Sequence, residues 1–303
     1  MARQDELSFV EFKKRYSTEE ACRNHLFKIR WPKGFQCTKC GNGKHYYIST
    51  RHLYECTQCH YQMSVTVGTI MEKTRTPLQT WFWAMYMVSK DKRGLSAVML
   101  SRELKIAYNT AWHMIHNIRM AMGERDELYK LQGKVEMDET YVGASDPGSK
   151  RGRGTTKAKV MVGVSLSAKG YPEYVKMELI DNLKGITLID FADRNTAGIS
   201  KTTISSDAYR SYKALEKVGY EIDRKKFDIK DDTDHLKWLH IIVSNLKSFI
   251  LGTYHGLDTK HLQSYLDEFC YRFNRRRVCS ELFDRIMMAS VMQTKINYTE
   301  LTA

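Results

Sequence analysis

Two groupings of side chains in this 303-residue chain could do chemistry. The first is sulfur. Cys37-Thr-Lys-Cys40 is followed, after fifteen residues, by Cys56-Thr-Gln-Cys59. Each CxxC turn aims two thiolates at one point, and two such turns on neighbouring hairpins make the tetrahedral sulfur cage that suits Zn2+. A redox site needs one such pair, not two. Tyr46, Tyr47, Ile48 and Tyr54 between the pairs are the β-prone residues that ribbon strands require. A structural Zn2+ supplies folding energy that so short a segment cannot draw from its own core. With four cysteines sufficient, His45, His52 and His60 are expected at the surface or facing DNA rather than on the metal.

The second grouping is carboxylate. Lys134-Val-Glu-Met-Asp-Glu-Thr-Tyr-Val142 alternates like a strand and carries Asp138 at its middle, while Thr202-Thr-Ile-Ser-Ser206 is a strand that ends at Asp207. Strand carboxylates that would otherwise face a core need a partner, and hard divalent cations are the natural one. Mg2+ or Mn2+ held by such a pair can activate a water or a 3′-hydroxyl and stabilise the leaving oxygen at a phosphodiester. Either aspartate alone reads as an exposed strand residue; the order of elements around them makes them a pair.

That order is the following. Strands over 134–142, 159–166 and 173–180 precede a helix over 186–195 and then the strand at 202–206. Three antiparallel strands, a helix and a further strand open an RNase H-like layer, in which helices cover both faces of a mixed sheet. A basic, glycine-rich loop, Gly143 to Gly154, joins the first two strands as a solvated connection or a phosphate contact. A long helix over 235–251 follows, with Gly252 as its C-cap. His240 and Lys247 share one face of it. A second helix over 260–274 sets Glu268, Arg272 and Arg275 at i, i+4 and i+7, next to Arg276 and Arg277. An ordinary helix-surface ion pair accounts for Glu268 and Arg272, but not for three arginines together.

Ahead of this half, Pro77 starts a densely apolar helix that Gly94 ends, and short helices over 96–104 and 110–122 flank a turn at 105–109. Two short helices around a tight turn fit a DNA-reading helix-turn-helix, with Asn109 or Thr110 as N-cap and Tyr108, Asn109, Thr110 and His113 near the exposed start of the second helix. A plain helical hairpin is the alternative. The 48 Lys and Arg exceed the 35 Asp and Glu by 13, and a surplus that large points to a polyanionic partner. No run of 18 apolar residues suggests a membrane span. Seven cysteines, an odd number, and a charged N-terminus without an apolar stretch fit a reducing cytoplasm better than secretion.

These segments together resemble the zinc-ribbon-bearing DDE-type transposases of bacterial insertion sequences. The matching stretches are EMDETYVG around Asp138, SSDAYRSY around Asp207, HIIVSNLKSFILGTYHG from His240 and YLDEFCYRFNRRR from Tyr265. The resemblance implies an RNase H-like fold, a divalent metal (Mg2+ or Mn2+), and strand cleavage and transfer at terminal inverted repeats. It implies that Asp138 and Asp207 are the catalytic, metal-holding aspartates. It makes Lys247 the lysine that follows the third catalytic position by seven residues. Glu268, Arg272 and Arg275 become a Glu-Arg-Arg signature that braces the site or grips the DNA backbone. Counting back from Lys247 puts the third position on His240, where many relatives carry glutamate. Asn245 is the alternative in a shifted register, and Asp231, Asp232 or Asp234 could supply a carboxylate instead. Imidazole is a poorer ligand for Mg2+ than carboxylate and sits better with Mn2+.

The expected chain is therefore a multidomain α+β protein. It has an N-terminal helical segment (1–30), a zinc ribbon (31–68), a helix-turn-helix-like segment (75–128), an RNase H-like α/β catalytic domain with a mixed sheet (132–280) and a C-terminal tail (281–303). The expected partners are terminal inverted repeats, target DNA and further copies of the chain, since two DNA ends are joined in one event. The expected location is the bacterial cytoplasm, on the nucleoid when bound to DNA. The rival readings are an inactive DNA-binding regulator of the same fold, which the histidine at position 240 makes thinkable, and another RNase H-like nuclease. A zinc-dependent scaffold explains neither the charge nor the aspartates.

Overall fold

A computed structural model describes residues 6–143, 152–225, 235–254 and 257–302. In chain order its elements are α1 (Phe9–Arg15), α2 (Glu19–Arg30), β1 (His45–Ile48), β2 (Leu53–Cys56), β3 (Gln62–Met63), α3 (Leu78–Lys90), α4 (Ala97–Leu104) and α5 (Tyr108–Asp126). Then come β4 (Gly133–Val142), β5 (Ala158–Leu166), β6 (Pro172–Ile180), α6 (Gly185–Asn195), β7 (Thr202–Asp207), α7 (Lys213–Lys217) and β8 (Glu221–Lys225). Last are α8 (Lys237–Thr253), α9 (Leu262–Asn274), α10 (Leu282–Met292) and α11 (Tyr298–Thr302). The chain divides into two compact units, Met1–Glu124 with Val278–Ala303, and Arg125–Arg277.

In the first unit local signals set the helix starts. Ser8 and Glu11 form a reciprocal capping box on α1. Pro77, before α3, offers no capping side chain, and the Glu19 carboxylate takes that place by accepting the N–H groups of Leu78 and Gln79 at 3.1 and 2.8 Å. The stretch expected as a tail contains α10, whose Leu282, Phe283, Ile286 and Met287 are buried; α10 packs against α2 and α3, and Phe283 meets Phe12 edge-on at 5.5 Å. An amphipathic stripe of this kind has to be buried somewhere, and α2 and α3 offer the apolar face.

Ser96 caps α4 by accepting from the Met99 N–H, and Lys105 closes the helix in the left-handed region at φ +51°. The next helix, α5, begins at Tyr108, so Asn109 and Thr110 lie inside it rather than capping it. Tyr108 and Asn109 are exposed, as a reading helix would need. His113 is half-buried and its Nε2 donates to the Ile296 carbonyl at 2.7 Å.

The second unit is built on a five-stranded sheet in the order β6-β5-β4-β7-β8. The β4, β5 and β6 strands are antiparallel, while β7 runs parallel to β4 and β8 parallel to β7. On one face, Val160, Val162, Val164 and Val175 pack against Leu239, Ile242 and Leu246 of α8 and Leu266 and Phe269 of α9. On the other, Met137, Met161 and Ile204 meet Leu188 and Phe191 of α6 and Leu215 of α7. Helices thus cover both faces of a mixed sheet, the RNase H-like arrangement expected from the sequence.

Two details of α8 differ from expectation. It begins at Lys237, because Leu236 adopts φ +54° and breaks the turn at 235 and 236. It also runs through Gly252 to a cap at Tyr254, so the glycine does not end it. The burial of Phe249 and Ile250, with Tyr254 ring-packed on Phe249 at 5.3 Å, carries the helix past the glycine.

Candidate active site and zinc centre

The ribbon sheet has the order β1-β2-β3, and the β1–β2 register sets His45 opposite Cys56. The ligand atoms of Cys37, Cys40, Cys56 and Cys59 lie within 4.8 Å of one another. The Sγ atoms of Cys37 and Cys59 are 3.6 Å apart, and those of Cys40 and Cys56 3.5 Å. Four sulfurs at Zn–S bond length around one tetrahedral Zn2+ would be separated by about 3.8 Å, so the donor set fits that ion. Outer contacts aim one of them: the Asn42 amide and the Gln58 N–H both approach Cys56 Sγ, at 3.5 and 3.4 Å. None of the nearby histidines joins the cluster. His52 and His60 are exposed, but the His45 ring packs at 4.6 Å from Phe35 and 5.3 Å from Tyr54, which makes it part of the ribbon's aromatic core.

In the second unit the parallel β4–β7 register pairs Glu136 with Ser205. Asp138 and Asp207 each lie two positions further on, so their carboxylates come level at neighbouring strands. Asp138 is mostly buried, with 18% of its side chain exposed. Its carboxyl is pushed up to about 8, first by burial and then by the negative charges of Glu139 and Asp207. One oxygen of each aspartate is oriented by backbone: Asp138 Oδ1 accepts the Glu139 N–H at 2.8 Å, and Asp207 Oδ1 the Tyr209 N–H at 3.0 Å. A divalent cation would remove the penalty that burial and like charge place on this pair, so the residues fit such an ion.

His240 brings a side chain from α8 to this pair. Its Nε2 is 4.0 Å from Asp138 Oδ2, and 54% of its side chain is exposed. Burial and the neighbouring His235 hold its imidazole below the usual range, which favours the neutral, ligating form. Lys247 is exposed two turns further along the same face, about 10 Å down the helix axis. Asn245 is also exposed but lies about 140° around α8 from His240, away from this face. Asp231, Asp232, Asp234 and most of the loop from Gly143 to Gly154 lie outside the described residues.

Two residues not singled out from the sequence hold the start of α8 in place. Buried Glu136 accepts the Leu239 N–H through Oε2 at 2.7 Å, and burial pushes its own carboxyl upward. His235 donates from Nε2 to the Ser206 carbonyl at 3.0 Å, next to Asp207. The signal for Glu136 was present in the alternation of its strand, since it shares a face with Asp138 two residues on.

The Glu-Arg-Arg group sits elsewhere. Glu268 is fully buried and pairs through Oε1 with Arg272 at 2.7 Å. Arg275 is buried, reaches Asp126 at 2.5 Å and stacks over Tyr271 at 3.4 Å. Arg276 donates to the Glu173 and Pro172 carbonyls, while Arg277 is largely exposed. Glu268 also accepts from the Tyr254 hydroxyl at 3.4 Å, so Glu268 and Arg275 tie this part of the chain to its surroundings while Arg272 pairs within α9, and all three present little charge to solvent.

Residues 130–274 match the ISXO2-like transposase domain and residues 17–62 the transposase zinc-ribbon domain. No curated protein matches the chain. Among solved structures, the catalytic core domain of BIV integrase aligns at 14% identity over 48% of this chain and 84% of its own, with a TM-score of 0.32. The two family matches of this chain, one over the four-cysteine cluster and the other over the paired aspartates, make it a member of the zinc-ribbon-bearing DDE-type transposases of insertion sequences.

Proposed function

We propose that this chain binds the terminal inverted repeats of its element, cuts a strand there and joins the freed end to target DNA. The observation that supports this reading most is the pairing of Asp138 and Asp207 on parallel neighbouring strands beneath the first turn of α8. Mg2+ or Mn2+ on this pair would supply activation of the attacking oxygen and stabilisation of the leaving one. Asp138 and Asp207 orient that ion. His240 adds a neutral nitrogen ligand or holds the attacking water. Lys247, two turns along, contacts a phosphate or terminal base of the same strand. Glu268, Arg272 and Arg275 brace the helix behind the site rather than touch DNA, which fits their burial. The ribbon and the exposed start of α5 read the end sequence. Joining two ends in one event calls for at least two copies of the chain on DNA.

The test is a duplex carrying the element's own inverted repeat, incubated with the zinc-loaded chain and either Mg2+ or Mn2+. A nick at the repeat boundary followed by a joined product, both lost in Asp138→Asn and Asp207→Asn, is the expected result. The histidine at position 240 favours one second reading, a DNA-binding relative without chemistry. Tight binding with no nick in either metal would establish that reading instead.

A further inference from the structure

We propose that a pocket of the first unit, beside the start of α5, is a seat for a phosphate of the DNA backbone; this rests on the reading of the chain as a DNA-binding transposase. The pocket has a volume of about 190 Å3. Three cations from two distant stretches of sequence line it: Lys73 and Arg75 from the segment after β3, and Lys295 from the segment after α10. Glu72 is the carboxylate in the lining; its Oε2 accepts the Gly68 N–H at 2.8 Å and its Oε1 is 4.0 Å from Lys73. Three positive charges against one negative, with threonine hydroxyls between them, is the chemistry of a phosphate site rather than of an apolar ligand.

The cations are carried on built structure. The Trp81 indole N–H donates to Thr74 Oγ1 at 3.0 Å, and the Thr76 N–H to the same oxygen at 3.1 Å, which fixes the segment between Lys73 and Arg75. Lys73 itself takes φ +53°, a left-handed conformation that is unfavourable for a non-glycine residue and needs such support. Lys295 precedes Ile296, whose N–H and carbonyl are both bound by the Asn117 side chain, at 2.8 and 3.3 Å. His113, which the sequence placed among the DNA-reading residues, lines the pocket and holds the same carbonyl.

DNA is the source of the phosphate because Thr110 of α5 also lines the pocket, two residues from exposed Tyr108. A backbone phosphate seated here fixes the register of α5 on the duplex and carries no sequence information itself.

The experiment measures affinity against salt concentration for the full zinc-loaded chain, on an inverted-repeat duplex and on a scrambled one. It compares the wild type with the Lys73→Ala, Arg75→Ala and Lys295→Ala triple variant and with Arg75→Lys. Loss of one phosphate contact makes the log–log salt slope of the triple variant shallower by about 0.9 on both duplexes, while Arg75→Lys keeps the wild-type slope. An unchanged slope in the triple variant, with the wild type binding normally, overturns the seat and leaves the transposase reading standing. A wild type that binds neither duplex overturns both. In a parallel arm, inorganic phosphate is added at fixed ionic strength. If it raises the thermal midpoint of the wild type alone while all slopes agree, the pocket takes a free anion and the DNA source is wrong.

Discussion

The Glu136 carboxylate accepts the Leu239 N–H at 2.7 Å, and so joins the strand that carries Asp138 to the helix that carries His240. Both partners are buried. Glu136→Ala leaves a buried N–H without its acceptor, which costs about 1–3 kcal/mol. We expect a lower urea midpoint for the second unit, a loss of strand cleavage, and an unchanged zinc content. Glu136→Gln keeps an acceptor oxygen and should stay much closer to the wild type. A Gln variant as unstable as the Ala variant would show that the negative charge, not the hydrogen bond, is what matters.

The buried pair Arg275–Asp126 gives a prediction with a separable alternative. Asp126 also accepts from the Asn274 amide at 2.8 Å, and its carbonyl accepts from buried Lys176 at 2.6 Å. Arg275→Ala strands a buried carboxylate and should cost about 3–5 kcal/mol by denaturant unfolding. If Arg275 braces the fold, the variant keeps the wild-type salt slope for DNA under conditions where it is folded. A slope shallower by about one would instead mark Arg275 as a phosphate contact.

Asp267 links stability to pH. Its carboxyl is pushed up to about 7, chiefly by burial and then by Asp126 and Glu127, against the Gln263 amide and Lys176, which act in the opposite sense. A folded-state pKa above the unfolded one near 4 means that the folded chain binds the proton more tightly. The fold is then penalised progressively as pH rises from about 4 to 7. Asp267→Asn should be more stable than the wild type at pH 8, by up to about 4 kcal/mol for a displacement of about three pKa units, with the difference closing near pH 4. Unfolding midpoints at the two pH values check this; equal differences at both would contradict it.

Close approach at Gly185 gives a packing test. A Cβ built there would lie 2.5 Å from the Ala214 Cβ, at the contact between α6 and α7. Both atoms are fixed to backbone, so Gly185→Ala has to push the two helices apart, at a cost of about 1–3 kcal/mol. Gly185→Ala combined with Ala214→Gly should recover most of the loss, read as a thermal midpoint.

Much of this architecture was legible in the residues. Alternation marked β4, and short β-prone runs marked β5, β6 and β7, all to within a residue or two; β5 is a continuous apolar run because its two sides are buried in different cores. The paired CxxC turns gave the sulfur cage directly. What escaped has physical causes. The edge strand β8, Glu221–Lys225, carries four charged residues and one apolar one, so no periodicity marks it. The start of α8 is set by a left-handed leucine and by two hydrogen bonds across the sheet, from Leu239 and His235, none of which local sequence reports. The arginines after α9 read as a charge cluster, and only packing shows that Arg275 is an internal strut while Arg277 faces solvent.

The most direct test of the central claim is Mn2+ binding, followed by electron paramagnetic resonance on the zinc-loaded chain in the presence of duplex DNA. The expected result is binding by the wild type that either Asp138→Asn or Asp207→Asn abolishes, with circular dichroism unchanged and His240→Ala weaker than the wild type. Equal Mn2+ binding by the wild type and both aspartate variants would contradict it.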